Sequence, residues 1–132
     1  MPEKFSLKTT RKEGFYPITD SVREAVRKSR VKEGLAVVYC PHTTAGLTIN
    51  ENADPAVVHD LILGLKGAYP ENPDFRHLEG NSAGHLKAAA CGSSLQLIIS
   101  GGELLLGTWQ GIYFGEFDGP RTRTFFVKIM EG

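Results

Sequence analysis

Leu35-Ala36-Val37-Val38-Tyr39-Cys40 runs through Pro41 into His42-Thr43-Thr44-Ala45-Gly46-Leu47-Thr48-Ile49-Asn50-Glu51-Asn52-Ala53-Asp54-Pro55. The first six residues are a short, continuous apolar run rich in valine, the pattern of a strand covered on both faces. The stretch after it carries imidazole, hydroxyl, amide and carboxylate groups, a density of polar groups that a fold alone does not require. Alternation of Leu47 and Ile49 with Thr48 and Asn50 predicts a second strand, its aliphatic pair facing the core and Glu51 continuing that face unless the strand ends. Asp54-Pro55 predicts a helix start, with aspartate as N-cap and proline preset at the first helical position. Val57, Val58, Leu61, Ile62 and Leu65 then supply a core stripe. Polar groups borne on such rigid supports suit a small-molecule site.

Working outward, Lys4 to Arg11 alternates as a strand with Phe5, Leu7 and Thr9 on one face, and Phe15 to Ile18 is a short partner. Ser21 and Glu24 have capping-box spacing for a helix whose Val22, Ala25, Val26 and Ser29 trace one face. Gly34 ends that connection. A helix from Ser82 to Cys91 is predicted beyond an irregular stretch, capped by Asn81 or Ser82 and closed by Gly92 in the left-handed region. Leu95, Leu97 and Ile99 alternate. Leu104 to Phe117 and Arg121 to Ile129 read as antiparallel strands around an Asp118-Gly119-Pro120 turn. Trp109, Tyr113 and Phe117 share one face of the former, with Gly111 and Gly115 between them, and Thr108, Gln110 and Glu116 share the other. Strands framing helices imply an α+β fold, a β-sandwich of mostly antiparallel strands with two or three helices. No linker or repeat divides residues 1–132, so a single domain is expected.

A chain of 132 residues can bury a real core. Lys+Arg 15 against Asp+Glu 15 leaves no net charge, so no global field favours nucleic acid or an anionic membrane, and neither is an expected partner. No apolar run approaches the roughly 20 residues of a membrane span, and Met1-Pro2-Glu3-Lys4-Phe5 lacks the apolar core of a secretory signal. A cytoplasmic protein is expected. Cys40 and Cys91 have no ligand-type spacing and read as reduced, structural thiols. A nucleophilic Cys40 would need His42 to approach it against the alternation of a strand.

The histidines are His42, His59, His77 and His85. His42, His77 and His85, with a carboxylate, could ligate a divalent metal such as zinc or magnesium, although their spacing is not itself a metal signature. Asp60 beside His59 has a sufficient reason to be there in the helix dipole. Gly80-Asn81-Ser82-Ala83-Gly84-His85-Leu86-Lys87 is sharper: a loop entering a helix leaves backbone N–H groups at the positive end of the dipole, which suits phosphate. His85 and Lys87 add donors there, and Glu79 could orient a histidine or bind a metal. Gln110, Glu116, Arg121 and Arg123 are explained for the most part by cross-strand pairing on the last two strands.

Taken together, His42 to Pro55, His77-Leu78-Glu79-Gly80-Asn81, His85-Leu86-Lys87 and Gly107-Thr108-Trp109-Gln110-Gly111-Ile112 resemble the YjbQ-like family, also called the secondary thiamine-phosphate synthase family, over essentially the whole chain. The resemblance implies an α+β sandwich assembled as a homotrimer with polar motifs near subunit interfaces. It also implies a weak activity that joins hydroxymethylpyrimidine diphosphate to thiazole phosphate and releases pyrophosphate. For that reaction the candidate catalytic residues are His42, Glu51 and His85. Thr43, Asn50, Asn52, Lys87, Gln110 and Arg121 would bind a small phosphorylated substrate, and His42, His77 and His85 would hold any metal. An aspartate-rich diphosphate–metal motif is absent, which argues for low efficiency. Two other readings use the same groups: a non-catalytic trimer that binds a metal or phosphometabolite, and a metal-dependent phosphohydrolase in which water replaces the thiazole nucleophile.

Overall fold

A computed structural model describes residues 1–132. In chain order the elements are β1 (Glu3–Lys8), β2 (Gly14–Pro17), α1 (Thr19–Ser29), β3 (Gly34–Tyr39), β4 (Ala45–Glu51), α2 (Pro55–Ala68), α3 (Ser82–Cys91), β5 (Ser94–Ser100), β6 (Glu103–Leu104), β7 (Gln110–Glu116) and β8 (Thr122–Glu131). Two antiparallel sheets result, one ordered β1-β8-β3-β5-β6 and one ordered β2-β7-β4. This is the expected α+β sandwich with three helices.

The core lies between the sheets. Val38, Phe125, Val127 and Ile99 from the larger sheet meet Leu47, Ile112 and Phe114 from the smaller one, and α1 adds Val22, Ala25 and Val26 to the same cluster. Each large side chain buried this way contributes about 1.5–3 kcal/mol relative to exposure. Leu47 is fully buried as the alternation of β4 predicts, while Thr48 is half-buried and Asn50 exposed on the other face. Phe5 of β1 stacks on Phe125, ring centroids 5.1 Å apart.

Helix α1 starts at Thr19 rather than Ser21, so the predicted capping box does not form. Thr19 is drawn into the fold instead, its hydroxyl accepting the Ile112 N–H at 2.9 Å. The predicted final hairpin is also corrected. β7 and β8 lie in different sheets, and residues 117–121 form a corner that carries the chain from one sheet to the other. A Gly-Pro turn looks the same locally in both arrangements, and only nonlocal pairing separates them. The strand predicted from Leu104 is likewise two, β6 and β7, with an irregular link in which Trp109 is exposed.

Helix α2 begins where Asp54-Pro55 predicts, the Asp54 carboxylate accepting the Ala56 N–H at 2.9 Å. Its apolar stripe is another matter. No residue of α2 is buried, so Val57, Val58, Leu61, Ile62 and Leu65 do not enter the core of this chain. Leu35, Ile98 and Met130 are neighbours across β3, β5 and β8, and all three are exposed on the outer face of the larger sheet.

Helix α3 is hung tightly on β4. A Cβ on Gly46 would lie 2.6 Å from the Gly92 carbonyl, and one on Gly84 would lie 2.9 Å from the Phe117 carbonyl. Gly92 closes the helix at φ 99°, and its carbonyl accepts the Leu47 N–H at 2.9 Å. Gly84 thus lets α3 press its first turn against the 117–121 corner, and Gly46 lets the end of the helix lie close on β4.

Candidate functional site

Pressing α3 on that corner decides where Lys87 goes. Ala83, Gly84 and Lys87 occupy one face of the helix at one-turn spacing, so the face that touches the corner carries the lysine inward. Lys87 is 4% exposed. Its ammonium pairs with the carboxylate of Glu13, a residue of the β1–β2 loop. That loop is held in place because Gly119 donates its N–H to the Lys12 carbonyl at 2.9 Å and Thr9 donates to the Arg121 carbonyl at 3.0 Å.

Above the pair lies a cavity of about 580 Å³, walled by α2 through Lys66 and Tyr69, by α3 through Asn81 and Lys87, and by the loop through Arg11 and Glu13. This is within the usual size range of small-ligand sites. The corner completes it. Asp118 accepts from Asn81 Nδ2 at 2.8 Å and from Arg121 Nη2 at 2.9 Å, which fixes the start of α3 against the cavity rim. Asn81 occupies the N-cap position but makes no side-chain cap, and its Oδ1 is buried without a partner.

A second polar cluster is sealed inside the fold at the same corner. Glu116 is fully buried and accepts from Arg123, from the Thr9 hydroxyl at 2.8 Å and from the Asp118 N–H at 3.0 Å. Arg123 also donates to Thr44. Burial alone would raise the Glu116 pKa, but the Arg123, Asp118 and Thr9 hydrogen bonds outweigh it and hold the carboxyl below its ordinary value. His42 stands beside this cluster, its Nε2 accepting the Thr124 N–H at 2.9 Å. Burial, and after it the Arg123 charge, hold His42 below the ordinary histidine pKa. It is therefore a neutral imidazole with its proton on Nδ1, the assignment this bond requires.

The sequence-predicted residues thus fall into separate places within one protomer. Lys87 lines the cavity, and Arg121 grips Asp118 at its edge. His77 and His85 are neighbours, ring centroids 5.2 Å apart, with Glu79 Oε1 at 3.9 Å from His77 Nε2. His42 does not join them: no three histidine, cysteine, aspartate or glutamate side chains form a group able to hold a metal ion. The expected three-histidine set is not assembled in this chain, and zinc needs more donors than two.

Asn50, Glu51, Asn52 and Gln110 lie at the other end of β4. The register pairs Ala45 with Glu116 and Glu51 with Gln110, so β4 separates the His42 end from the Glu51 end by about 20 Å at the usual rise of a strand. Their polar groups also hold the chain locally. Gln110 Oε1 accepts the Gly107 N–H at 2.8 Å, Asn50 Oδ1 accepts the Glu51 N–H at 2.8 Å, and the Glu51 carbonyl accepts from Tyr113 at 3.1 Å. Thr43 is exposed near His42. His59 and Asp60 pair with each other on the exposed side of α2. Burial raises both thiols, Cys91 to about 11, so neither is primed as a nucleophile.

Sequence reasoning missed Glu13, Arg11, Lys66 and Asp118. Arg11 is expected at the end of the first strand, whereas β1 stops at Lys8 and leaves Arg11 in the loop, and Asp118 is expected only as a turn residue. Nothing local signals that they meet, since Glu13 and Lys87 are 74 residues apart.

With this geometry in place, comparison with known proteins is informative. Residues 3–132 match the family described as UPF0047 protein YjbQ-like. A UPF0047 protein of Methanocaldococcus jannaschii is 54% identical over 96% of this chain and 92% of its own length. YugU of Bacillus subtilis, also a UPF0047 protein, is 48% identical over 98% of this chain and 99% of its own. Among solved structures, an uncharacterised YjbQ/UPF0047 protein of Clostridium acetobutylicum is 56% identical with a TM-score of 0.95, covering 97% of this chain and 99% of that one. A YjbQ-like protein of unknown function from Sulfolobus solfataricus reaches the same TM-score at 29% identity, covering 100% and 97%. A family model spanning nearly every residue and relatives above half identity agree with the sandwich and its corner: the chain belongs to the YjbQ-like UPF0047 family.

Proposed function

We propose that the protein binds a small phosphorylated molecule in the cavity between α2 and α3 and there acts as a low-efficiency transferase, joining hydroxymethylpyrimidine diphosphate to thiazole phosphate with release of pyrophosphate. The observation that carries this reading is the wall of the cavity itself: a buried Lys87, with Arg11 and Lys66 nearby and the start of α3 at its rim, balanced by the carboxylates of Glu13, Glu71, Glu79 and Asp118. Backbone N–H groups in the first turn of a helix and a fixed ammonium are the donors a phosphate needs. His85, two residues before Lys87 on α3, lies on another face of the helix and outside the cavity lining, so as the acid proposed to protonate the departing pyrophosphate it would act across a subunit contact.

A homotrimer is part of the same proposal. It is supported by the apolar stripe of α2, which is only half-buried in one chain, and by the exposed Leu35, Ile98 and Met130. Subunit contact is also the way in which Asn50, Glu51, Asn52 and Gln110 would reach a pocket that holds His42 or His85. The divalent ion implied by family resemblance has His77 and His85 as donors in one protomer, which is too few, and the proposed chemistry does not run through it.

Steady-state assay with both thiamine precursors tests the proposal on wild type, Lys87→Met and His85→Ala, each verified as folded. Loss of turnover in both variants is expected. Full activity in both overturns the assignment. Tight retention of pyrophosphate without any turnover would instead make the protein a binding module, and phosphate release from either precursor alone would make it a phosphohydrolase.

A further inference from the structure

Lys87 is nearly fully buried, yet it has only one hydrogen-bond partner. An ammonium carries three N–H donors. Glu13 takes one and is the only protein group that does so. Its side chain is 5% exposed and that of Glu13 is 13% exposed, and both residues line the cavity. Buried ion pairs add little net stability, because desolvation offsets the attraction, and an incompletely bonded one adds least. The pair therefore needs a reason other than stability.

Building on the phosphate-binding reading of this cavity, we propose that Glu13 is a displaceable internal counter-ion: it occupies Lys87 while the site is empty and yields it to a dianionic phosphate group of the ligand. The charge class follows from competition. Glu13 is itself a monoanionic carboxylate already tethered beside the ammonium, so a free carboxylate has no advantage over it. A phosphate group carries close to two negative charges at neutral pH and three acceptor oxygens, enough to serve the N–H donors of Lys87 once Glu13 has withdrawn. Arg11 lies on the same short loop and also lines the cavity, so the segment that withdraws a carboxylate also carries a cation toward the incoming group.

The exchange makes a prediction opposite to that of a structural role. Isothermal titration of the full-length protein with inorganic pyrophosphate should show Glu13→Gln binding more tightly than wild type by about tenfold, the scale of one removed competing charge contact. Glu13→Asp, which keeps the charge but sets it back by a methylene, should show a smaller gain in the same direction. Glu13→Gln combined with Lys87→Met should lose that gain. Acetate at equal concentration should not compete. If wild type binds pyrophosphate and both Glu13 variants bind equally or more weakly, the counter-ion role is wrong while the phosphate site stands. A gain that survives Lys87→Met, or acetate competing as well as phosphate, overturns it too. If neither wild type nor either folded Glu13 variant binds pyrophosphate, the phosphate-binding reading of the cavity itself has failed.

Discussion

Two buried ion pairs lie close to one corner of this sandwich, and they are built differently. Glu116 and Arg123 are both almost wholly inaccessible, and further hydrogen bonds from Thr9 and the Asp118 N–H and to Thr44 hold them in place. Lys87 and Glu13 meet beside a cavity, and Lys87 has no partner besides Glu13. A fully enclosed pair tied to several neighbours fixes a shape, because breaking it strands a charge in low dielectric. A pair at a cavity wall with no further side-chain partner is open to exchange with a ligand. The contrast separates the structural charges of this protein from those available to a ligand.

The largest effect should come from breaking the enclosed pair. Arg123→Met strands Glu116 and should lower unfolding stability by about 3–5 kcal/mol, read by denaturant titration. The pH dependence follows from the depressed carboxyl. Because Glu116 titrates below its ordinary value of 4.5 in the folded protein, its contribution is present above that pH and is lost as pH falls through the folded value. Wild type should therefore lose stability on acidification below about pH 4.5, and Glu116→Gln should lose less over the same range.

Lys87→Met should have the reverse profile, with stability changed by about 1 kcal/mol or less because Glu13 can reach cavity water, but with pyrophosphate binding reduced at least tenfold. Equal destabilisation by Arg123→Met and Lys87→Met would erase the distinction between the two pairs.

His42 provides a smaller test at the edge of the sealed cluster. His42→Ala leaves the Thr124 N–H without its acceptor and should cost about 1 kcal/mol. A histidine whose folded pKa lies below its ordinary 6.5 favours folding above that pH and loses the contribution as pH falls through the folded value. The stability gap between wild type and His42→Ala should narrow on moving from pH 7 to pH 5. The smallest effect expected is that of a chelator, which should change pyrophosphate affinity by less than about twofold, since one protomer gathers no metal-binding group. A large loss on chelation would place a metal among the cavity's own cations.

Features set by neighbouring residues were legible in the sequence. Asp54-Pro55 announces α2 because the N-cap oxygen and the fixed proline φ act within a few residues of each other. Leu47 against Asn50 shows its sides because a strand alternates. Partnership between distant segments was not legible: β7 and β8 on either side of a Gly-Pro turn look like a hairpin, and only the pairing of β7 with β2 and β4 reveals a corner. The site divides in the same way. Lys87 could be found from its place in the first turns of a helix, whereas Glu13 is an unremarkable loop charge until the fold brings α3 over it. The stretch from His42 to Asn52, contiguous in sequence, is pulled apart by the length of β4.

Helix α2 has a consequence for the ligand. It supplies Lys66 and Tyr69 to the cavity while contributing no buried side chain to the core. If a partner packs on its half-buried apolar stripe and shifts this wall, the width of the cavity and the occupancy of that stripe are thermodynamically linked. Whatever factor a partner on α2 applies to ligand affinity, the ligand must apply to the partner's affinity in return.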